Sequence, residues 1–399
     1  MSEPRAEGAI KPVSETYGDR LRELAWLFLR LGTIAFGGPA AHIAMMEDEV
    51  VRRRGWVTRE TFLDMIGACN LIPGPNSTEM AIHIGHRRAG FGGLAVAGAC
   101  FIVPAVVITI AVAWAYVRFG SLPQVNGILY GVKPVIIAVV AQALWRLGQT
   151  ATRTPMLIGV TLLAVAAGFA GLNEIALLFA AGLAVAAIHL TMHPGETRRL
   201  YSLIGAPMLA ALKAGSAAAM AAPFGLGALF WFFLKIGSVL FGSGYVLLAF
   251  LQADLVDRLH WLTQGQLLDA VAVGQITPGP VFCTATFIGF LLGRTRGALV
   301  ATIGIFLPAF FFVAISGPLL PRIRRSALAG AFLDGVNAGS LALMVIVTWQ
   351  LSRAAIMDVT TVVLALASAV LLFRFRVNSA WLVLMGAVAG AAVMGFGVH

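Results

Sequence analysis

Long apolar segments separated by short polar ones run along most of the chain. Several contain no charged residue over about 20 positions, the length that a helix needs to cross a membrane; these stretches span residues 89–117, 154–173, 297–321 and 377–398. The pattern predicts membrane helices near residues 24–46, 61–85, 91–117, 125–147, 155–172 and 174–190, and again near 227–250, 266–290, 297–317, 328–351, 357–373 and 379–397. Roughly ten to thirteen crossings are compatible with this pattern.

The apolar pattern is duplicated within the chain. The string FLRLGTIAFGG, which begins at Phe28, recurs as FLKIGSVLFGS from Phe233, an offset of 205 residues. After a one-residue slip the register continues at an offset of 204. The aligned pairs are Arg30 with Lys235, Gly32 with Gly237, Trp56 with Trp261, Asp64 with Asp269, Pro73, Gly74 and Pro75 with Pro278, Gly279 and Pro280, Pro104 with Pro308, Gly131 with Gly335, and Trp145 with Trp349. The chain therefore contains two related units, at about residues 28–150 and 233–353.

We expect an all-α polytopic membrane protein with two homologous helical repeats whose helices are broken at PGP tripeptides. Its predicted parts are a polar N-terminal tail at 1–23 without a signal-peptide pattern, a first transmembrane repeat at 24–190, a linker at 191–226 and a second transmembrane repeat at 227–399. An odd number of crossings per unit inverts the second repeat. Arginines occur in consecutive loops of each unit, so the positive-inside rule does not decide the orientation.

Composition agrees with a membrane protein and excludes other classes. Of the 399 residues, 59% are hydrophobic and 12% are charged, about half the charge of a soluble domain. The net charge of +10 comes from Lys and Arg set singly or in pairs between apolar runs, which argues against nucleic-acid binding. Cys69, Cys100 and Cys283 lie in separate apolar segments without metal-ligand spacing. No dinucleotide, P-loop or hydrolase motif is present, so we expect neither a cofactor nor an enzyme.

The PGP tripeptides interrupt apolar segments at equivalent places of the two repeats. Proline removes a backbone donor and clashes with the preceding turn, and broken helices in both halves of a transporter point to its substrate site. A half-helix that begins after each break offers free N–H groups and a positive dipole end to an oxyanion. The candidate substrate-binding residues are Pro73, Gly74, Pro75, Asn76, Ser77 and Thr78, with Pro278, Gly279, Pro280 and Thr284 in the second repeat. The alternative is that the tripeptides only kink the helices for packing.

Three basic residues within apolar segments are further candidates for anion binding. Arg30 and Lys235 occupy the same repeat position, and Lys133 stands where the second repeat has Asn337. A basic side chain at membrane depth is a functional-site hypothesis, although Arg30 and Lys235 can instead extend to the interface. The glycines that also interrupt these helices, and that either line a cavity or allow close helix contacts, are Gly37, Gly38 and Gly242.

Three acidic residues in apolar surroundings are candidates for proton coupling, because a desolvated carboxyl group can cycle protons. Glu79 follows the first PGP tripeptide, and Asp64 and Asp269 form a repeat pair early in their helices. Helix capping or a loop ion pair is the alternative explanation for the two aspartates. No such explanation suits Glu79.

Together these motifs resemble the two-domain, long-chain members of the chromate ion transporter family. The resemblance covers residues 28–150 and 233–353 and rests on Gly32, Phe36, Gly37, Gly38, Pro39, Trp56, Pro73, Gly74, Pro75 and Asn76 in the first repeat, and on Gly237, Phe241, Gly242, Trp261, Pro278, Gly279 and Pro280 in the second. The second repeat departs from the motif at Ser243 and Val281, where the first has Gly38 and Asn76. The two breaks therefore need not contact a substrate equally.

The resemblance implies a function and an orientation. It implies export of chromate across the bacterial inner membrane, driven by the proton motive force and giving chromate resistance, by two halves in opposite orientations. Chromate is a tetrahedral dianion that paired helix N-termini and one or two basic side chains suit well, and sulfate has the same shape and charge. A sulfate or molybdate carrier, an anion channel and a membrane-embedded redox enzyme remain alternatives. The expected partners are the dianion and the lipid bilayer, with a homodimer left open.

Overall fold

The computed structural model describes residues 15–36, 38–120, 122–192, 224–241, 244–324 and 326–395, so most of the predicted linker lies outside the described residues. Within these ranges the chain is helical and contains no strand. The first repeat consists of α1 (Tyr17–Ile34), α2 (Pro39–Glu47), α3 (Arg59–Cys69), α4 (Asn76–Phe119), α5 (Pro123–Ala151), α6 (Pro155–Phe169) and α7 (Glu174–Met192). The second consists of α8 (Leu226–Val239), α9 (Leu247–Phe250), α10 (Gln264–Ile276), α11 (Thr284–Arg324), α12 (Ala327–Ala355), α13 (Val359–Arg374) and α14 (Ser379–Gly395). The predicted all-α fold is confirmed.

The first helix differs from its prediction at both ends. It begins at Tyr17 rather than near residue 24, because Thr16 and Asp19 form a capping box that starts the helix within polar sequence. The last part of the expected tail is therefore helical. The single helix predicted over residues 24–46 is instead two helices, since the chain leaves the helical conformation after Ile34 and restarts at Pro39. Proline suits the start of a helix, where its missing N–H would have no partner.

Among the described residues, five helices are long and apolar enough to cross a membrane. They span Asn76–Phe119, Val125–Ala151, Glu174–Met192, Val281–Ser316 and Ala327–Ala355. The large apolar side chains exposed on the outside of the bundle include Trp114, Trp145, Trp231, Trp349 and Trp381. Water-soluble proteins rarely expose contiguous apolar surface on this scale, so the chain is a multi-pass membrane protein.

The two repeats are interlocked rather than placed side by side. Helix α5 of the first repeat packs against α13 and α14 of the second, and its counterpart α12 packs against α6 and α7 of the first. Glycine makes both contacts close, because Gly131 meets Gly386 and, at the equivalent position, Gly335 meets Gly182. Small residues let helix backbones approach each other within a membrane. Each repeat thus supplies helices that complete the packing of the other.

The equivalent segments α4 and α11 each contain a sharp break, at Ala89–Gly90 and at Gly293–Arg294. The chain folds back there, so that Gly85 packs against Gly93 and Ala97, and Gly289 packs against Gly297 and Ala301. The two segments also pack against each other. Gly98 of α4 faces Phe310 of α11. Further along α4, Tyr116 packs edge-on against Phe287, with ring centroids 5.3 Å apart.

The relative direction of helices from the two repeats is clear for α5 and α14, where Gly127 meets Gly390 and Gly131 meets Gly386, so these two helices are antiparallel. The two homologous helical repeats are confirmed, and the antiparallel packing of α5 on α14 agrees with their expected inverted arrangement.

Candidate functional site

The two PGP tripeptides break their helices as predicted. In the first repeat α3 ends at Cys69 and α4 begins at Asn76. In the second repeat α10 ends at Ile276, and a 3-10 turn at Val281–Cys283 leads into α11. Each tripeptide therefore separates two helices that the apolar pattern alone would have joined.

Each tripeptide is held by the helix break in the other repeat. The N–H of Gly74 donates to the carbonyl of Leu240 at 2.8 Å, and the N–H of Gly279 donates to the carbonyl of Ala35 at 2.9 Å. Leu240 follows the end of α8 and Ala35 the end of α1, so the two hydrogen bonds are equivalent under the repeat. Four interrupted helices meet at one place, where a backbone group freed by one break is satisfied by another.

Glycine is required at the middle of both tripeptides. Gly74 has a φ of 144° and Gly279 a φ of 89°, in the region that favours glycine. A Cβ atom on Gly74 would meet the carboxylate of Glu79, and one on Gly279 would meet the side chain of Ala105. Backbone conformation and close packing therefore both exclude a side chain at Gly74 and Gly279.

A cavity of about 640 Å³ lies beside the breaks and is lined by both repeats. Its volume is in the range of small-molecule sites in proteins. Polar and backbone groups from all the interrupted segments reach it, together with α5, the loop after α5, and α12. The lining includes Gly38, Pro39, Asn70, Pro75, Asn76, Ser77, Gln142, Arg146, Thr150, Arg153, Gly244, Val281, Phe282, Asp334 and Asn337.

Two helix starts border this cavity. In α4 the first backbone hydrogen bonds run to the carbonyl of Pro75, so the N–H groups of Asn76 and Ser77 have no acceptor among the described residues. In the second repeat the same holds for Val281 and Phe282. Free N–H groups and the positive end of the helix dipole form a binding site for anions. The structure thus brings together the two helix starts that the sequence singled out.

Three charged residues line the cavity that were not predicted as site residues: Arg146, Arg153 and Asp334. All three are exposed, and no carboxylate in the described part of the chain forms an ion pair with Arg146. Sequence reasoning missed them because a charge near the end of an apolar helix is usually a membrane-flanking contact. The repeat itself carried the signal, since the second repeat has Gln350 and Met357 where the first has the two arginines.

Arg30 and Lys235, predicted to bind the anion, are not part of this cavity. Arg30 pairs with Glu49 at 2.8 Å, and Lys235 forms the equivalent pair with Asp254 at 2.9 Å. Both carboxylate side chains are only 6% exposed. Arg30 borders a separate cavity of about 370 Å³. The two basic residues therefore anchor α1 and α8 to two further helical segments, Asp48–Arg53 after α2 and Leu251–Arg258 after α9.

Lys133 and Asp269, predicted to bind substrate and to couple protons, are paired with each other. The Lys133 Nζ lies 3.4 Å from Oδ1 of Asp269, and the hydroxyl of Tyr116 donates to Oδ2 of the same carboxylate at 2.8 Å. Asp269 is buried, whereas its repeat counterpart Asp64 is exposed. The two aspartates of the repeat pair therefore have different surroundings in this structure.

Glu79 lies one turn into α4 and is completely buried. Its carboxylate rests against the backbone of Gly74, and neither oxygen has a hydrogen-bond partner among the described residues. Thr284 occupies the equivalent position in the second repeat, where its hydroxyl donates to the carbonyl of Val281 at 2.8 Å. The buried carboxylate is therefore particular to the first repeat.

The remaining predicted residues divide into two groups. Gly37 and Gly242 lie outside the described residues. The residues that shape the breaks without lining the cavity are Pro73, Gly74, Thr78, Pro278, Gly279, Pro280 and Thr284.

Comparison with known proteins agrees with this architecture. The family model for chromate transporters matches residues 22–187 and 227–391, which are the two repeats. The chain is 33% identical to a chromate transport protein of Cupriavidus metallidurans, over 94% of this chain and 92% of that protein. It is 30% identical to a probable chromate transport protein of Synechococcus elongatus, over 93% of this chain and 95% of the relative. A chromate transport protein of Pseudomonas aeruginosa is also 30% identical, with coverages of 82% and 80%.

No solved structure matches this chain significantly. The family match extends over both repeats and the relatives over nearly the full length, which indicates a role in transport rather than catalysis. The chain therefore belongs to the chromate transporter family.

Proposed function

We propose that this chain exports chromate across the bacterial inner membrane, driven by the proton motive force, and thereby confers chromate resistance. The observation that best supports this proposal is the shared cavity, where two helix starts and two arginines surround a space of about 640 Å³. The name of the family and the names of the relatives make chromate the first substrate to test.

The chemistry of the cavity suits a tetrahedral dianion. Its oxygens accept hydrogen bonds in all directions, and the N–H groups of Asn76 and Ser77 are free to donate them. Arg146 and Arg153 supply positive charge with fork-shaped donors that match an oxyanion. Asp334 reduces the net charge of the lining, which suits a carrier that has to release its anion as well as bind it.

Glu79 is the proposed proton-coupling residue. It is fully buried and has no hydrogen-bond partner among the described residues, and a buried charge without a partner is costly. It shares the first turns of α4 with Asn76 and Ser77. At such short range and in a poorly polarisable environment, the charge on Glu79 and the charge of a bound anion influence each other strongly.

A carrier agrees better with the structure than a channel does. The cavity is open beside Asn70 and Leu147, whereas their repeat counterparts Gln275 and Leu351 are 6% and 0% exposed. A channel would need an open path past the buried residues Gln275 and Leu351 as well as past Asn70 and Leu147. A sulfate or molybdate carrier is the second candidate function, because no group in the lining distinguishes one tetrahedral dianion from another.

The proposal is tested by uptake of radiolabelled chromate into everted membrane vesicles, with and without an imposed proton gradient. We expect gradient-dependent accumulation by the wild-type chain. Arg146→Gln should raise the half-saturating chromate concentration about tenfold or more, since a hydrogen bond to a charged group contributes about 1.5–3 kcal/mol. Glu79→Gln should abolish the dependence on the gradient.

Arg353→Gln is the matched control, because Arg353 is an exposed arginine at the end of α12 that does not line the cavity. Its uptake should equal that of the wild type. Excess sulfate is added as a competitor, and the extent to which it inhibits chromate uptake shows how the affinities for the two anions compare. Unchanged half-saturation in Arg146→Gln would exclude the proposed cavity, and wild-type uptake that ignores the gradient would exclude coupling to protons.

A further inference from the structure

In the part of the chain that the structure describes, the cavity lies on one side of the helix breaks, and several counterparts of its lining residues are buried. Leu147 lines it, whereas its counterpart Leu351 is completely buried, and Asn70 is exposed, whereas its counterpart Gln275 is 6% exposed. In transporters built from inverted repeats, the two repeats can exchange conformations around a fixed site. After such an exchange the buried counterparts would line a second cavity, on the opposite side of the helix breaks.

The second lining would contain fewer charged side chains than the first. The positions equivalent to Arg146 and Arg153 are occupied by Gln350 and Met357. Among the repeat counterparts of the described lining residues, only Lys133, which is equivalent to Asn337, carries a positive charge. An anion that leaves through the second side therefore meets one cation on its way.

In this structure Lys133 is paired with a carboxylate of the other repeat. Lys133 lies 3.4 Å from Asp269, which is 4% exposed and also accepts a hydrogen bond from Tyr116. The contact joins α4 and α5 of the first repeat to α10 of the second. It therefore holds the two repeats together on the closed side.

We propose that Lys133 is a second anion-binding group, and that Asp269 holds the place of the anion while the second side is closed. The proposal rests on the anion transport proposed above. A carboxylate and an oxyanion form the same kind of charge-assisted hydrogen bond with an ammonium group. Separating Lys133 from Asp269 without a replacement leaves a buried charge unpaired, which is strongly unfavourable. An anion that replaces the carboxylate therefore favours opening of the second side.

Two equivalent leucines provide matched reporters of the two sides. Leu147→Cys reports the open cavity, and Leu351→Cys reports the closed one. Each is placed in the full-length chain, reconstituted in nanodiscs, with Cys69, Cys100 and Cys283 replaced by alanine. A membrane-impermeant maleimide should label Leu147→Cys rapidly and Leu351→Cys slowly. Sulfate is the anion added, because chromate oxidises thiols.

Adding sulfate should accelerate the labelling of Leu351→Cys several-fold when Lys133 and Asp269 are both present. Asp269→Asn should accelerate it about tenfold without sulfate, since the pair is then broken. Lys133→Met should also expose Leu351→Cys, but the response to sulfate should disappear and chromate uptake into vesicles should be lost. Asp257→Asn, an exposed aspartate after α9, is the control and should leave labelling unchanged.

Exchanging the two charges distinguishes an anion-binding role of Lys133 from a purely structural ion pair with Asp269. The double variant Lys133→Asp with Asp269→Lys should restore slow labelling of Leu351→Cys without restoring chromate uptake, because the cation no longer lies on α5. Restored uptake, or a sulfate response that persists in Lys133→Met, would overturn the proposal. Protection of Leu147→Cys by sulfate reports the open cavity separately, so its loss would count against the proposed function and not against Lys133.

Discussion

At the scale of single residues, the place where the helix breaks meet depends on the middle glycines of the two PGP tripeptides, Gly74 and Gly279. Gly171, which lies in the loop after α6, is a suitable control for Gly279, because the φ angles of the two residues are 88° and 89°. A Cβ on Gly279 would meet Ala105, whereas a Cβ on Gly171 would meet nothing within 4 Å. Gly171→Ala should therefore cost about 1–2 kcal/mol for the left-handed backbone alone. Gly279→Ala should cost about 2–5 kcal/mol, because overpacking adds to the strain.

Thermal unfolding of the two purified variants in detergent checks this prediction. The midpoint of Gly279→Ala should fall clearly below that of Gly171→Ala. Equal midpoints would mean that the contact with Ala105 relaxes without cost and that a side chain is tolerated at Gly279.

Single residues also show what the sequence could and could not predict about the site. The PGP residues were recognisable because proline and glycine act on their own backbone, and the duplicated motif marked them twice. Arg30 and Arg146 could not be ranked in this way. Whether an arginine faces a carboxylate such as Glu49 or an open cavity depends on how distant segments pack, and both look alike as isolated charges in apolar sequence.

At the scale of helices, close contacts between the repeats depend on small residues at matched positions. Gly131 of α5 lies against the backbone of Gly386 in α14, whereas Gly159 of α6 has nothing within 4 Å of its missing Cβ. Gly131→Leu should therefore destabilise the protein by about 3 kcal/mol or more, since the helices have to separate. Gly159→Leu is the control and should leave stability within about 0.5 kcal/mol. The yield of monodisperse protein after extraction in detergent distinguishes the two outcomes, and equal yields would contradict the close contact.

Helix positions followed from the apolar pattern, whereas helix ends depended on local chemistry that the pattern does not contain. The start of α1 is set by a capping box of Thr16 and Asp19 in polar sequence, so a search for apolar runs places it too late. Breaks at Pro73 and Pro278 were predictable from proline itself. The exchange of α5 and α12 between the repeats was not, because hydrophobic periodicity shows that a helix is buried but not which helix covers it.

At the scale of the whole molecule, the interlocked repeats form a single structural unit. Helix α5 packs on α13 and α14, and α12 packs on α6 and α7. The hydrogen bonds from Gly74 to Leu240 and from Gly279 to Ala35 also cross between the repeats. A repeat on its own would leave Lys133 or Asp269 buried in the membrane without its partner, which is costly. Neither half is therefore expected to be stable alone.

Co-expression of the two halves as separate chains, cut within the linker predicted at 191–226, tests this interdependence. Either half expressed alone should accumulate to less than about a tenth of the level of the full chain, because misassembled membrane segments are removed by proteolysis. Expressed together, the halves should co-purify and restore chromate uptake into vesicles, since the interlocking contacts need no covalent link. A first half that carries Gly131→Leu should fail to capture the second. If either half alone were abundant and monodisperse, its core would be complete without the other repeat, and the contacts between α5 and α14 would contribute to transport rather than to folding.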